Sequence, residues 1–210
     1  MANIVTYYSR GRHPKRFWGK QALKAMNGPH HAAMPEWVMP QLQVKEDARM
    51  LDVGCGGGAN IARLIAKCPK GVVTGLDISA AALEMTKDYN YRNFVDKRCL
   101  VAGGNALQIP LVKDTYDLVT AFETVYYWSS LLSGVMEIYR VLKPGGTIVI
   151  ANEMDGEGDS ARQLEKSVGG IRIYSIGEIK EDLTEAGFTN ITSSHDEQRH
   201  FICVMATKPN

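Results

Sequence analysis

The sequence predicts an α/β fold: a doubly wound, mainly parallel seven-stranded sheet with an antiparallel C-terminal strand hairpin and an N-terminal helical cap. Three observations predict it. From about residue 49 onward, short apolar runs alternate with amphipathic segments of helix length. The first run ends in a glycine-rich loop, Gly54-Cys55-Gly56-Gly57-Gly58. The last two runs have no helix between them, so they should pair as a hairpin at one sheet edge. Strand–helix alternation with right-handed crossovers makes the rest of the sheet mainly parallel.

Each element follows in turn. Residues 49–53 read as a buried strand ended by glycines, and 59–67 as a helix with Ile61, Leu64 and Ile65 on one face and Pro69 just past its end. A second strand covers 72–76. Ser79 is placed to cap a helix over 80–91 whose Leu83 packs inward. Strands follow at 99–102 and 116–121. A helix over 130–142 is stopped by Lys143-Pro144-Gly145-Gly146, and 147–152 is the fifth strand. Ser175 caps a helix over 176–186 that ends at Gly187. The closing strands lie near 190–194 and 199–207. Residues 1–48 do not join this alternation. The stretches 17–26 and 36–42 look helical, broken by Asn27-Gly28-Pro29, and read as a lid over the sheet's ligand edge, with 49–210 as the ligand-binding domain.

Composition narrows the function. A chain of 210 residues with 45% hydrophobic and 22% charged residues suits one ordinary globular domain. A net charge of +1 gives no general attraction to nucleic acid or membrane. Residues 1–45 nevertheless carry seven Lys/Arg against the single acid Glu36. Such an arm either attracts an anionic partner or is simply solvated. Cys55, Cys68, Cys99 and Cys203 form no C-x-x-C pair and no His–Cys cluster, which argues for reduced thiols and against a metal site. No signal-like or 18-residue apolar run occurs, so the chain reads as a cytoplasmic, soluble protein without membrane attachment.

In an open parallel sheet, ligands bind beyond the carboxyl ends of the strands, where strand order reverses. The glycine loop is delivered there. Glycines let the backbone approach a ligand closely, and the next helix begins with unpaired N–H groups that suit an anion. Asp77 ends the second strand, 23 positions after Gly54, where a carboxylate can accept from both ribose hydroxyls. Gly54-x-Gly56-x-x-Ala59 also satisfies the dinucleotide fingerprint, so the loop and Asp77 specify an adenosine cofactor without choosing between kinds.

Four motifs carry a resemblance that chooses. Leu51-Asp52-Val53-Gly54-Cys55-Gly56-Gly57-Gly58, Gly75-Leu76-Asp77-Ile78-Ser79, Gly104-Asn105-Ala106 with Tyr116-Asp117-Leu118-Val119, and Arg140-Val141-Leu142-Lys143-Pro144-Gly145-Gly146 resemble, in order, those of class I S-adenosylmethionine-dependent methyltransferases. The resemblance implies S-adenosyl-L-methionine as cofactor and S-adenosyl-L-homocysteine as product. It implies that Asp52 and the loop (Gly54, Cys55, Gly56, Gly58) hold the methionine end. Asp77 would take the ribose, Ile78 would lie against adenine, and Asn105 and Ala106 would edge the ring. The family more often has Asp where this chain has Asn105, whose side-chain carbonyl can still accept from the adenine amino group.

Methyl transfer from a sulfonium is an in-line displacement with an activated donor. The protein must chiefly align the nucleophile, which alone contributes ~7–11 kcal/mol. The segment after the fourth strand, Phe122-Glu123-Thr124-Val125-Tyr126-Tyr127-Trp128, reaches the reacting end. Tyr126, Tyr127 and Trp128 either wall an acceptor pocket or pack the strand-to-helix junction. Glu123 is a candidate base, acceptor-orienting group or partner of the cofactor's ammonium, and Glu153 in Asn152-Glu153-Met154 should reach the same edge. Two carboxylates there can shift each other's pKa; the alternative is that both only bond loop N–H groups. His30 or His31 is a further candidate base, although adjacent residues do not share a helical face. The reading is methyl transfer to a small-molecule acceptor. The alternatives are an RNA or protein methyltransferase docking through the basic arm, a NAD-dependent oxidoreductase, and a non-catalytic cofactor-binding regulator. The Asn/Asp-Pro-Pro-Tyr/Phe motif of many nucleic-acid methyltransferases is absent, as is a Tyr-x-x-x-Lys pair at Tyr126 or Tyr127.

Overall fold

Seven strands run in the order β3-β2-β1-β4-β5-β7-β6 in the computed structural model, which describes Asn27, Gly28 and residues 31–210. The strands are β1 (Arg49–Val53), β2 (Val72–Asp77), β3 (Cys99–Gly103), β4 (Tyr116–Phe122), β5 (Leu142–Asn152), β6 (Thr189–Asp196) and β7 (Phe201–Thr207). Pairing among β3, β2, β1, β4 and β5 is parallel, while β7 is antiparallel to both β5 and β6. Order reverses between β1 and β4, so the crevice opens where the first strand hands over to the glycine loop.

The helices are α1 (Ala33–Val38), α2 (Ala59–Lys67), α3 (Ala80–Tyr89), α4 (Tyr91–Val95), α5 (Leu131–Val141), α6 (Gly158–Val168) and α7 (Ile176–Glu185). They cover both sheet faces. Val135 and Ile138 of α5 and Ile179 and Leu183 of α7 share one apolar cluster with Leu51, Val119 and Ile148. Ile61, Leu64 and Ile65 of α2 join Met50, Val73 and Phe122 on the other face. Full burial of one such Leu or Ile contributes about 1.5–3 kcal/mol. The two expected caps are present, Ser79 accepting from Ala82 N–H at 3.4 Å and Ser175 forming a capping box with Glu178, and Ser130 caps α5 by accepting from Ser133 N–H at 3.1 Å.

Several boundaries differ from the sequence reading. The helix expected over 80–91 breaks at Asn90, because its side-chain amide is spent on Gly58 O (2.9 Å) and Thr86 O (3.1 Å). β5 begins at Leu142, because Gly145 N–H and Gly146 O pair with Lys208 O and N–H instead of turning away. α6 was not foreseen; its apolar residues Ala161, Leu164 and Val168 are sparse but join Tyr126, Ile171 and Ile173 in a third cluster. The helix expected over 36–42 is α1 followed by a 3₁₀ turn, Met39–Gln41, with Pro40 in its first residues. Met34, Val38 and Met39 pack into the α2-side core, so this segment covers the sheet. The helix read over 17–26 and His30 lie outside the described residues.

Candidate cofactor site and its acidic wall

The glycine loop is built by steric exclusion. Gly54 and Cys55 N–H both donate to Leu76 O, at 2.7 and 3.1 Å, which folds the loop across the end of β2. Gly54, Gly56 and Gly58 have φ of 77°, 52° and 84°, a region that side chains rarely adopt. A Cβ on Gly54 would lie 2.1 Å from Thr124 Oγ1, and one on Gly57 would lie 2.5 Å from Asn27 Oδ1. The loop's carbonyls are tied down from outside: Asn27 donates to Gly57 O (2.8 Å), Thr86 to Gly56 O (3.0 Å) and Asn90 to Gly58 O.

Asp77 is fixed between loop and helix. Oδ2 accepts from Gly56 N–H at 3.0 Å and Oδ1 from Ser79 N–H at 2.8 Å, and burial raises its pKa despite these bonds. Its carboxylate therefore ties the loop to the start of α3, with lone pairs to spare for further donors. Gly104 N–H donates to Asp77 O at 3.1 Å, bringing Asn105 and Ala106 beside it. Asn105 Oδ1 accepts from Leu107 N–H at 2.9 Å, closing the local turn, and Ala106 is buried. Ile78 is 64% exposed, an apolar side chain on the rim next to Asp77. This pairing of an acid with an open apolar rim suits a ribose and a purine.

Two cofactor candidates sit deeper than the sequence suggests. Asp52 is buried and accepts from Thr120 Oγ1 at 2.7 Å, beneath the loop and outside the pocket lining; burial pushes its pKa up to about 7. Cys55 turns its sulfur inward to within 3.5 Å of Thr86 Oγ1, so its backbone is what meets the pocket. Polar residues missed in the sequence hold this site: Thr86 and Asn90 bond the loop, Thr124 packs at Gly54, and Thr120 bonds Asp52. The signal was there for two of them: Ala82, Thr86 and Asn90 recur every four residues on one helix face, and all three are buried.

The opposite wall is acidic. Glu123 follows β4 with φ of 54°, a strained conformation for a residue with a side chain. Its N–H donates to Ala151 O at 3.0 Å, and its carboxylate accepts from Tyr126 Oη–H at 2.9 Å and from Glu153 N–H. Burial first, then the neighbouring Glu153 charge, pushes its pKa up to about 8. Glu153 in turn lies 3.3 Å from His31 Nδ1, and this contact raises the imidazole's pKa. Thus Glu123, Tyr126, Glu153 and His31 form one connected group. Tyr126 is 1% exposed, so its role is to hold Glu123; Tyr127 meets it edge to face at 6.4 Å. Trp128 is a packing residue: a Cβ on Gly134 would lie 2.3 Å from its ring. Asn152, wholly buried at the end of β5, has neither side-chain atom hydrogen-bonded among the described residues.

These two walls enclose a pocket of about 50 Å³ lined by Gly54, Gly56, Gly57, Asn60, Arg63, Asn27, His31, Phe122 and Glu123. A larger cleft of about 360 Å³ lies between 128–132 and α7, lined by Arg172, Glu178, Glu181 and Asp182. It contains no glycine-loop residue and no strand end, so size alone does not make it the cofactor site. Whole-ligand pockets run to ~300 Å³ or more, which fits the smaller pocket to one end of a cofactor whose remainder lies along the open rim.

Fold and site together define a class I α/β domain of the S-adenosylmethionine-dependent methyltransferase kind. A family profile described as a methyltransferase domain matches residues 51–150. It is 29% identical over 152 residues to the 27-O-demethylrifamycin SV methyltransferase of Amycolatopsis mediterranei, covering 70% of this chain and 56% of that protein. It is 26% identical over 200 residues to the sterol 24-C-methyltransferase of Kluyveromyces lactis, covering 89% of this chain and 53% of that protein. The chain spans about half the length of the curated relatives it matches. A solved S-adenosylmethionine-dependent methyltransferase from Aquifex aeolicus has the same fold, with a TM-score of 0.73 at 23% identity over 90% of this chain and 97% of that one. Among the described residues, no helix is long and apolar enough to cross a membrane.

Proposed function

We propose that this protein binds S-adenosyl-L-methionine and transfers its methyl group to a small-molecule acceptor. The observation that carries the reading is the pairing of a side-chain-free cradle at Gly54–Gly58 with a half-buried carboxylate, Glu123, across the same pocket. A Cβ at Gly54, Gly57 or Gly58 would collide with Thr124, Asn27 or Asn90 and Thr86, so the loop stays side-chain-free at these positions, as close backbone approach to a ligand requires. Asp77 would hold the ribose, Ile78 and Ala106 would contact adenine, and Asn105 would edge it. Residues 1–48 would act as a cap, for which the packing of Met34 and Val38 is support.

When bound, the cofactor supplies an electrophilic methyl group, so the chain's own residues need only orient, desolvate and handle a proton. Glu123, held by Tyr126 and by Glu153 N–H, is placed to meet the positively charged end of the cofactor. A cation beside it would draw its raised pKa back down and ionise it at neutral pH. Glu153 with His31 is the candidate proton acceptor: with Nδ1 donating to the carboxylate, Nε2 becomes the basic nitrogen. Tyr127, half-buried beside them, would wall the acceptor. A small-molecule acceptor agrees with the names of the rifamycin and sterol relatives, and the acceptor atom differs between those two names.

Calorimetry with S-adenosyl-L-homocysteine and NAD tests the cofactor. Tight NAD binding without S-adenosyl-L-homocysteine binding would sink the reading. Transfer of labelled methyl to a metabolite pool and not to RNA or protein then tests the acceptor class.

A further inference from the structure

The small pocket holds a cation with no ion-pair partner among the described residues. Arg63 lies on the second turn of α2, and helical side chains lean toward the N-terminus, so its stem points back to the loop. Its Nη1 donates to Asn60 Oδ1 at 3.1 Å, a neutral amide one turn earlier. Arg63 forms no ion pair with any described residue, although it is only partly exposed and lines the pocket. The pocket's other cationic candidate, His31, is already matched by Glu153. Around the loop stand four carboxylates, Asp52, Asp77, Glu123 and Glu153. A ligand carboxylate entering there would be repelled unless a fixed cation receives it, and a guanidinium stays charged at every accessible pH.

We propose that Arg63 reads the carboxylate of the cofactor's amino-acid end, opposite Glu123, which receives the ammonium. The pocket is then a zwitterion reader with one charge on each wall. Its planar fork matches a carboxylate in two parallel hydrogen bonds, which a lysine cannot reproduce. Reversing the amino-acid end would set like charges together at both walls, so the pair sets the direction in which the cofactor lies. This rests on the cofactor reading above and adds the residue that discriminates its anionic end.

The test is calorimetry on the full chain with two ligands: S-adenosyl-L-homocysteine and its decarboxylated analogue, S-adenosyl-3-thiopropylamine. The wild type should prefer the former by at least about tenfold, as expected for a charge-assisted pair. Arg63→Gln should erase most of that preference while leaving the analogue's affinity within about twofold, and Arg63→Lys should fall between. Retention of the full preference in Arg63→Gln overturns the proposal, as does equal weakening of both ligands. A wild type that binds both equally overturns it too, with the cofactor reading intact. A wild type that binds neither refutes the cofactor reading itself.

Discussion

The two walls of the pocket are made by opposite means. The glycine wall is made mostly of backbone: its three left-handed glycines and the bonds to Leu76, Thr86 and Asn90 keep the loop bare, with Asn60 and Arg63 standing beside it. The acidic wall concentrates side chains, with Glu123, Glu153, Tyr126 and His31 drawn from three separate stretches of chain. One wall is held by backbone bonds and steric exclusion. The other stores backbone strain at Glu123 and responds to protons. Binding geometry and proton chemistry are thus kept on different supports, which lets either be changed without dissolving the other.

The largest effect is expected on the glycine wall. Gly54→Ala forces a Cβ to within 2.1 Å of Thr124 Oγ1 at a positive φ, and should weaken S-adenosyl-L-homocysteine binding by about a hundredfold or more in calorimetry. Asp77→Ala removes the bonds to Gly56 and Ser79 together with the proposed ribose contact, and should approach the same loss. A binding change below about threefold in either variant would show that the loop does not carry the ligand.

On the acidic wall the effects are smaller and depend on pH. The folded pKa of Glu123, about 8, stands above its ordinary 4.5, so the folded state holds a proton that the unfolded state releases. Stability without ligand should therefore fall as pH rises from about 4.5 toward 8. Glu123→Gln should flatten this, gaining on the order of 1 kcal/mol over wild type at pH 8 in denaturant titrations. A wild-type curve that rises over that window would contradict it.

His31 has the same sign on a smaller scale. Its raised pKa means that the contact with Glu153 stabilises fully below the ordinary value of 6.5 and is lost as pH rises through the folded value. Amide hydrogen exchange of residues 33–38 should therefore speed up, after correction for intrinsic rate, as pH rises, by well under about 1 kcal/mol of local stability. His31→Gln should abolish the trend.

Asn152→Leu is the smallest change. It removes two buried polar atoms without partners, and should raise Tm by about 2–4 °C, the shift expected for ~1 kcal/mol in a chain of this size. A fall in Tm would mean that the amide is satisfied in solution.

Legibility followed the same division. The loop, Asp77, Asn105-Ala106 and the alternation of strands and helices were readable, because backbone conformation and hydrophobic period are local properties of sequence. Glu123 and Glu153 were readable as candidates from their positions after two strands. Their connection was not, since Phe122 and Ala151 become neighbours only through β4–β5 pairing. Nothing in the local sequence singles out Arg63, and Trp128 stays open between pocket wall and junction packing until its contact with Gly134 decides for packing.

By itself the sequence determined the sheet, the glycine cradle and the cofactor class, because turn geometry and apolar spacing are written in neighbouring residues. Only the tertiary structure decided that Asp52 is buried against Thr120, that Tyr126 holds Glu123, and that His31 closes on Glu153. These are contacts across 68, 3 and 122 positions. Even the short one depends on burial and on a strained φ at Glu123, which no local preference of Glu would produce. The charge state of a carboxylate is set by what surrounds it in space, and that surrounding exists only once the chain has folded.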